Sequence, residues 1–185
     1  MLVLRRSVVV TSVLCGVLTV AGCSTTESGN AQPSATTDQA AATAALWDPC
    51  TQIPDSTLTN LGLDVASKRS GILGAEEPGW KICAWSASAY PPGYGLTAYT
   101  TVHSVDEVRQ KSTNVEFKDV SVAGRQGIQF RQSHHDADED CSLVFQTATG
   151  FAQLDMLNTG VEERKTPPCD RLKPIAEAIV PLFPK

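Results

Sequence analysis

The densest run of ionisable side chains in the chain occupies residues 133–140 (SHHDADED). Carboxylates and imidazoles are the groups that bind calcium and transition metals, so the candidate ligands are His134, His135, Asp136, Asp138 and Asp140. The aspartates match the first positions of an EF-hand loop, but Cys141 stands where that loop has glycine and Thr147 where it has glutamate. Runs of like charge are usually solvated loops. The sequence therefore favours a solvated loop and predicts no metal or other cofactor, with a metal-binding sensor as an alternative.

Three further side chains are candidates for catalysis or binding. His103 lies in a β-branched and aromatic stretch, and no motif places a serine or an acid beside it, so we interpret it as an ordinary strand residue. The chain also lacks a Gly-x-Ser-x-Gly motif. Tyr90 and Tyr94 flank a Pro-Pro-Gly turn, where they could bind a ligand, a glycan or a partner protein. The alternative is that their rings cover the rim of the core.

The N-terminus has the features of an export signal. Arg5 and Arg6 precede the uncharged apolar residues 7–20, and the small residues of Val-Ala-Gly lead into Cys23. This tetrapeptide resembles the bacterial lipobox, which implies a signal peptide over residues 1–22 and diacylglycerol on the sulfur of Cys23. The sequence thus predicts a protein anchored by lipid to the outer, extracytoplasmic face of the cell membrane.

Composition limits the partners of the processed chain. Removing Arg5 and Arg6 reduces the basic residues from 15 to 13 against 20 acidic residues, which gives a net charge of −7. An acidic chain does not suit nucleic acid or anionic headgroups, so we expect the lipid on Cys23 to be the membrane contact. Residues 23–45 are rich in Ser, Thr and Ala and predict a flexible tether.

Residues 46–185 are expected to form a single α+β domain. Alternating or β-branched segments predict strands at residues 67–73, 80–86, 96–103, 117–122, 126–131, 142–148 and 151–158. Helices are predicted at residues 54–61 and 170–182. A third, short helix is predicted to begin at a capping box formed by Ser104 and Glu107. These elements predict an antiparallel sheet of five to seven strands with N-terminal and C-terminal helices packed on one face.

Four cysteines remain in this domain, and an even number outside the cytoplasm predicts two disulfides. Four cysteines allow three pairings. The predicted layout favours the two pairs that each join a helix start to a nearby strand, namely Cys50–Cys83 and Cys141–Cys169.

The order of several short motifs resembles that of a known family. Asp48-Pro49-Cys50 opens the domain, Cys83-Ala84-Trp85 lies in a strand, Cys141 precedes an apolar strand and Cys169 opens the last helix. This order is similar to that of the actinobacterial lipoproteins grouped as domain of unknown function 3558. The resemblance covers residues 46–184 and implies an envelope lipoprotein, but it supplies no catalytic residues.

Together these features predict a non-enzymatic binding or accessory module for an envelope protein, a lipid or a glycan. The prediction depends on the lipid anchor, the tether and the absence of catalytic motifs in the sequence. An envelope hydrolase with an unrecognised site is the main alternative.

Overall fold

A computed structural model describes residues 35–185 of the chain. Seven strands form one antiparallel sheet in the order β1-β2-β3-β7-β6-β5-β4. The strands are β1 (Leu63–Ser70), β2 (Trp80–Ala87), β3 (Tyr94–Thr101), β4 (Asn114–Val122), β5 (Arg125–Gln132), β6 (Asp140–Gln146) and β7 (Phe151–Asn158). The seven strands confirm the predicted antiparallel sheet.

Five α-helices accompany the sheet: α1 (Ala35–Ala44), α2 (Pro49–Gln52), α3 (Asp55–Asn60), α4 (Val105–Gln110) and α5 (Pro168–Ile179). Short 3-10 turns follow at Glu163–Lys165 and Val180–Leu182. Helix α4 begins at the predicted capping box, in which Ser104 and Glu107 hydrogen-bond each other's backbone N–H groups. Among residues 35–185, no helix is both long and apolar enough to cross a membrane.

The two faces of the sheet are covered differently. The first face carries the larger core, in which Leu96 and Ala98 of β3 and Leu154 and Met156 of β7 pack with residues of α3 and α5, including Ile175. The alternate residues of the same strands point to the second face. There α4 places Val108 in a smaller cluster that also contains Phe130, Val144 and Phe151. The predicted α+β class, with the N-terminal and C-terminal helices on one face, is confirmed.

Both predicted disulfides are present. Cys50 of α2 is bonded to Cys83 of β2, and Cys141 of β6 is bonded to Cys169 of α5. The first bond joins the short helix α2 to the sheet and the second joins the longer helix α5 to it, as the predicted layout of elements indicated.

Several boundaries differ from expectation, most of all those of β1 and of the predicted tether. Strand β1 begins and ends earlier than predicted, and it ends at Ser70 because Gly71, with φ of 69°, turns the chain out of the sheet. Helix α1 occupies the second half of the segment predicted to be a flexible tether. Its alanines favour helix, and Thr43 Oγ1 accepts a hydrogen bond of 2.7 Å from the N–H of Gly79. Cys23 and the predicted signal peptide lie outside the described residues.

Candidate functional site

The second face of the sheet contains a groove of about 420 Å³. Strands β2, β3, β7 and β5 form its floor and α4 forms one wall. Its lining combines aromatic and aliphatic side chains with a few polar groups, which is the usual composition of a small-molecule site. The lining residues are Trp80, Tyr99, His103, Glu107, Val108, Lys111, Asn114, Phe130, Gln132, Phe151, Gln153 and Asp155.

Asp155 lies on the floor of the groove because of the register of three strands. In that register Ser142 of β6 is opposite Asp155 of β7, and Gln153 of β7 is opposite Tyr99 of β3. Gln153 Nε2 donates a hydrogen bond of 2.7 Å to Asp155 Oδ1. Ser142 and Tyr99 bring their hydroxyl groups near the same carboxylate, and their hydrogen bonding lowers its pKa. Three polar side chains therefore surround one acid.

The surroundings of Asp155 change its acidity. Desolvation by the surrounding protein raises the pKa of Asp155 to about 6, although its three hydrogen bonds act in the opposite direction. Burial also raises the pKa of Tyr99, and the negative charge of Asp155 adds to that effect. A carboxyl group that titrates near neutral pH inside a groove is a functional-site candidate.

Aromatic rings form the wall at one end of the groove. The Trp80 ring makes edge contacts with Tyr99 at 6.2 Å and with Phe151 at 5.7 Å between centroids, and it lies 5.2 Å from the imidazole of His103. Gly79 precedes Trp80 with φ of 83°, and a Cβ there would lie 3.3 Å from Val102. A glycine therefore suits the sharp entry of the chain into β2.

Helix α4 contributes the charged wall. His103 lies just after β3, and its Nδ1 is 2.7 Å from Glu107 Oε2. This hydrogen bond is the main reason that the pKa of Glu107 is lowered. Lys111 follows the helix on the same wall, and Asn114 Nδ2 donates to the carbonyl of Val108 at 2.9 Å. The prediction that His103 lies within a strand is wrong, because His103 follows β3, and it lines the groove.

A side cavity of about 150 Å³ adjoins the groove, with which it shares Tyr99, Gln132 and Asp155. Asp140 lines this side cavity and is 4% exposed. Its Oδ2 accepts a hydrogen bond of 2.8 Å from the N–H of Gln132, whereas its Oδ1 is buried and has no hydrogen-bond partner among the described residues. Burial raises the pKa of Asp140.

The candidate metal ligands of residues 133–140 do not form one cluster. Asp140 belongs to β6, whereas the other four candidate ligands lie on the loop before it. The rings of His134 and His135 lie 4.3 Å apart between centroids and are tilted by 43°, and His135 Nδ1 is 3.4 Å from Glu139. Glu139 also pairs with Arg164 at 2.5 Å. Within the described part of the chain, no three His, Cys, Asp or Glu side chains are arranged to hold a metal ion.

The two tyrosine candidates lie in different environments. Tyr90 is 97% exposed on the turn between β2 and β3. Tyr94 begins β3, where its hydroxyl donates to the carbonyl of Gly62 at 3.3 Å and its ring lies 4.5 Å from the guanidinium carbon of Arg171. Tyr94 is therefore held by the fold, and its ring covers the rim of the core. Tyr90 stays a candidate contact residue.

Sequence comparison agrees with the resemblance carried by the cysteine motifs. A family described as "Protein of unknown function (DUF3558)" matches residues 18–182. The chain belongs to this family. No curated protein and no solved structure matches it. Lipidation and an actinobacterial source stay predictions.

The groove of this DUF3558 protein was not apparent from its sequence. Gln153 and Asp155 alternate with buried apolar residues in β7, a pattern typical of a strand with one solvated face. One feature of the sequence could have indicated the groove: Glu107 follows His103 by four residues, at the start of a helix that had to cover part of the sheet. The register that brings Tyr99 to Asp155 joins segments about fifty residues apart in the chain.

Proposed function

We propose that this protein is a lipid-anchored, non-enzymatic binding module of the cell envelope, and that the groove is its ligand site. The observation that carries the proposal is the groove itself, in which the half-buried Trp80 and Tyr99 offer apolar area beside the polar groups of Asp155 and Gln153. Such a surface suits an organic molecule with an apolar or cyclic body and a few polar substituents. The anchor on Cys23 is supported by the sequence alone.

The proposal is tested by the ligand that copurifies with the protein. The full chain would be purified in mild detergent from its own membranes and analysed by native mass spectrometry. We expect a bound small molecule in addition to the lipid on Cys23. Gln153→Trp fills the groove with a bulky side chain that a strand accepts, so this variant is expected to lose the molecule.

Gln126→Trp is the matched control, because Gln126 is an exposed residue of β5 outside the groove lining. It should retain the molecule at the occupancy of the unmodified protein. Equal occupancy in Gln153→Trp, or a protein that carries no molecule from its own membranes, would contradict the proposed function.

A hydrolase is the second candidate, and one observation favours it. Asp155, with a pKa of about 6, and the hydrogen-bonded pair of His103 and Glu107 line the same groove. A carboxyl group that titrates near neutral pH suits general acid–base catalysis. Asp155→Asn separates the two functions, because a catalyst would then accumulate an uncleaved molecule of different mass, whereas a binding module would carry the same molecule or less of it.

A further inference from the structure

The groove and the adjoining side cavity together contain three carboxylates. Glu107 and Asp155 line the groove and Asp140 lines the adjoining side cavity. Among residues 38–185, Lys111 is the one lysine or arginine on the walls of the two cavities. His103 and His135 complete the titratable groups there, beside Tyr99.

Asp140 supplies the independent observation that a donor is missing. A buried carboxylate oxygen without a hydrogen bond is costly, and native proteins almost always give such an atom a partner. Oδ1 of Asp140 has none among the described residues, although the residue is 96% buried and lines the side cavity. A ligand group that donates hydrogen bonds would satisfy this atom.

Arg131 forms an ion pair with Asp140, but its hydrogen-bond donors are used elsewhere. Its Nε and Nη2 donate to the two carboxylate oxygens of Glu116 at 3.0 and 2.7 Å. Its Nη1 donates to the carbonyl of His135 at 3.2 Å and stays 3.8 Å from Asp140 Oδ1, which is too long for a hydrogen bond. The charge of Asp140 is therefore only partly compensated.

The aromatic wall is compatible with a cationic group at the same end. Tyr99 lies beside Asp155, and Trp80 makes an edge contact with Tyr99 at 6.2 Å. The faces of tyrosine and tryptophan rings attract ammonium groups. A neutral hydroxyl would gain a hydrogen bond here but would leave the charges uncompensated.

We propose that the groove recognises an amine, with the ammonium group between Asp155 and Asp140 and the apolar body of the ligand against Trp80. This inference deepens the proposed function and depends on it, because it assigns the chemical class of the ligand of the same groove. An ammonium group has three donors, enough for both carboxylates.

Three probes with the same phenyl-ethyl body and different head groups test the proposal: phenethylamine, phenethyl alcohol and hydrocinnamate. Their dissociation constants would be measured by ligand-observed NMR with the full chain in nonionic detergent, with the groove-filled Gln153→Trp variant as the blank. We expect phenethylamine to bind about ten-fold more tightly than the alcohol, since charge-assisted hydrogen bonds exceed neutral ones by that order. Hydrocinnamate should bind most weakly.

Variants of the two aspartates test where the ammonium group of phenethylamine binds. Asp155→Asn and Asp140→Asn should each weaken phenethylamine about five-fold or more and leave the alcohol within about two-fold. Asp119→Asn is the control, because it removes one acid from an 86% exposed side chain outside both cavities. Circular dichroism verifies that each variant is folded, and either groove variant alone suffices for the test.

Equal binding of the amine and the alcohol, lost in Gln153→Trp, would overturn the amine assignment and leave the groove as a binding site for an uncharged ligand. Tightest binding of hydrocinnamate would overturn it in favour of an anion held by Lys111. If no probe distinguishes the protein from Gln153→Trp, both the amine assignment and the groove as ligand site are overturned.

Discussion

At the residue scale, Asp155 links stability to pH. Its folded pKa of about 6 is above its ordinary value of 3.8, so the folded chain takes up a proton that the unfolded chain has lost between these values. The stabilising contribution of the protonated carboxyl is complete below pH about 4 and is lost as the pH rises through 6. Two pKa units correspond to about 3 kcal/mol at most.

Asp155→Asn imitates the protonated carboxyl and should remove this dependence. We expect the free energy of unfolding of the variant to exceed that of the unmodified protein by about 1 to 3 kcal/mol at pH 7 and to equal it near pH 4. Urea denaturation of the full chain from pH 4 to pH 8 measures the difference. Asp119→Asn, the exposed control, should change little at any pH, and a constant difference between Asp155→Asn and the unmodified protein would refute the assignment.

Asn158 is a second residue whose importance depends on the tertiary structure. It is 1% exposed at the end of β7, and its Nδ2 donates to the carbonyls of Asp138 and Thr166 at 3.1 and 3.0 Å. Its Oδ1 accepts from Nε of Arg171 at 3.1 Å. One amide thus joins the loop before β6, the segment before α5 and α5 itself.

Asn158→Ala leaves these buried partners unsatisfied, so we expect it to lower the free energy of unfolding by about 2 to 3 kcal/mol. The same measurement on Asn60→Ala, at the exposed end of α3, should give a change within about 0.5 kcal/mol. Equal losses in the two variants would show that the buried network contributes nothing specific.

At the element scale, the sequence predicted most of the sheet but little of the site. Alternation in segments such as 80–86 reports which residues share a face, and the helix-to-strand layout selected the disulfide pairs. The side of the sheet that each helix covers is not encoded by alternation. Helix α4 follows β3 and crosses to the second face, which turns Gln153 and Asp155 from apparently solvated residues into the floor of a groove.

The irregular part of β4 controls the charge beside the side cavity. The pairing of β4 with β5 shifts between Val115 and Lys118, and Glu116 has φ of 57° at this bulge. Bulges redirect side chains, and here Glu116 is placed to form two hydrogen bonds with Arg131. These bonds lower the pKa of Glu116 and hold Arg131 away from Asp140.

Glu116→Asn should release Arg131 to pair with Asp140, because asparagine accepts positive φ but lacks the charge. We expect phenethylamine to bind about three- to ten-fold more weakly, since Arg131 would compete with its ammonium group. NMR titration of the variant and of Asp119→Asn, which also removes one surface acid, gives the comparison. Tighter amine binding in Glu116→Asn would show that Arg131 does not approach Asp140.

At the scale of the whole molecule, charge and cysteine chemistry have separate roles. The folded domain is acidic and is held by the disulfides Cys50–Cys83 and Cys141–Cys169, which agrees with an oxidising compartment. An acidic surface gives no attraction to anionic lipid headgroups. If the protein is retained at a membrane, we expect retention to depend on the covalent lipid predicted on Cys23 or on a partner already there.

Cys23→Ala distinguishes a covalent lipid from retention by a partner. Two acyl chains give stable anchoring, since each buried methylene contributes about 0.8 kcal/mol. We therefore expect the unmodified protein to remain with the membrane fraction and the variant to be found in the soluble fraction, with altered gel mobility. Cys15→Ala is the matched control, because Cys15 lies within the predicted signal peptide and is removed with it. If the Cys23→Ala protein stays at the membrane with unchanged gel mobility, the anchor is a protein partner and not a lipid. The groove would then have to be tested in the complex with that partner.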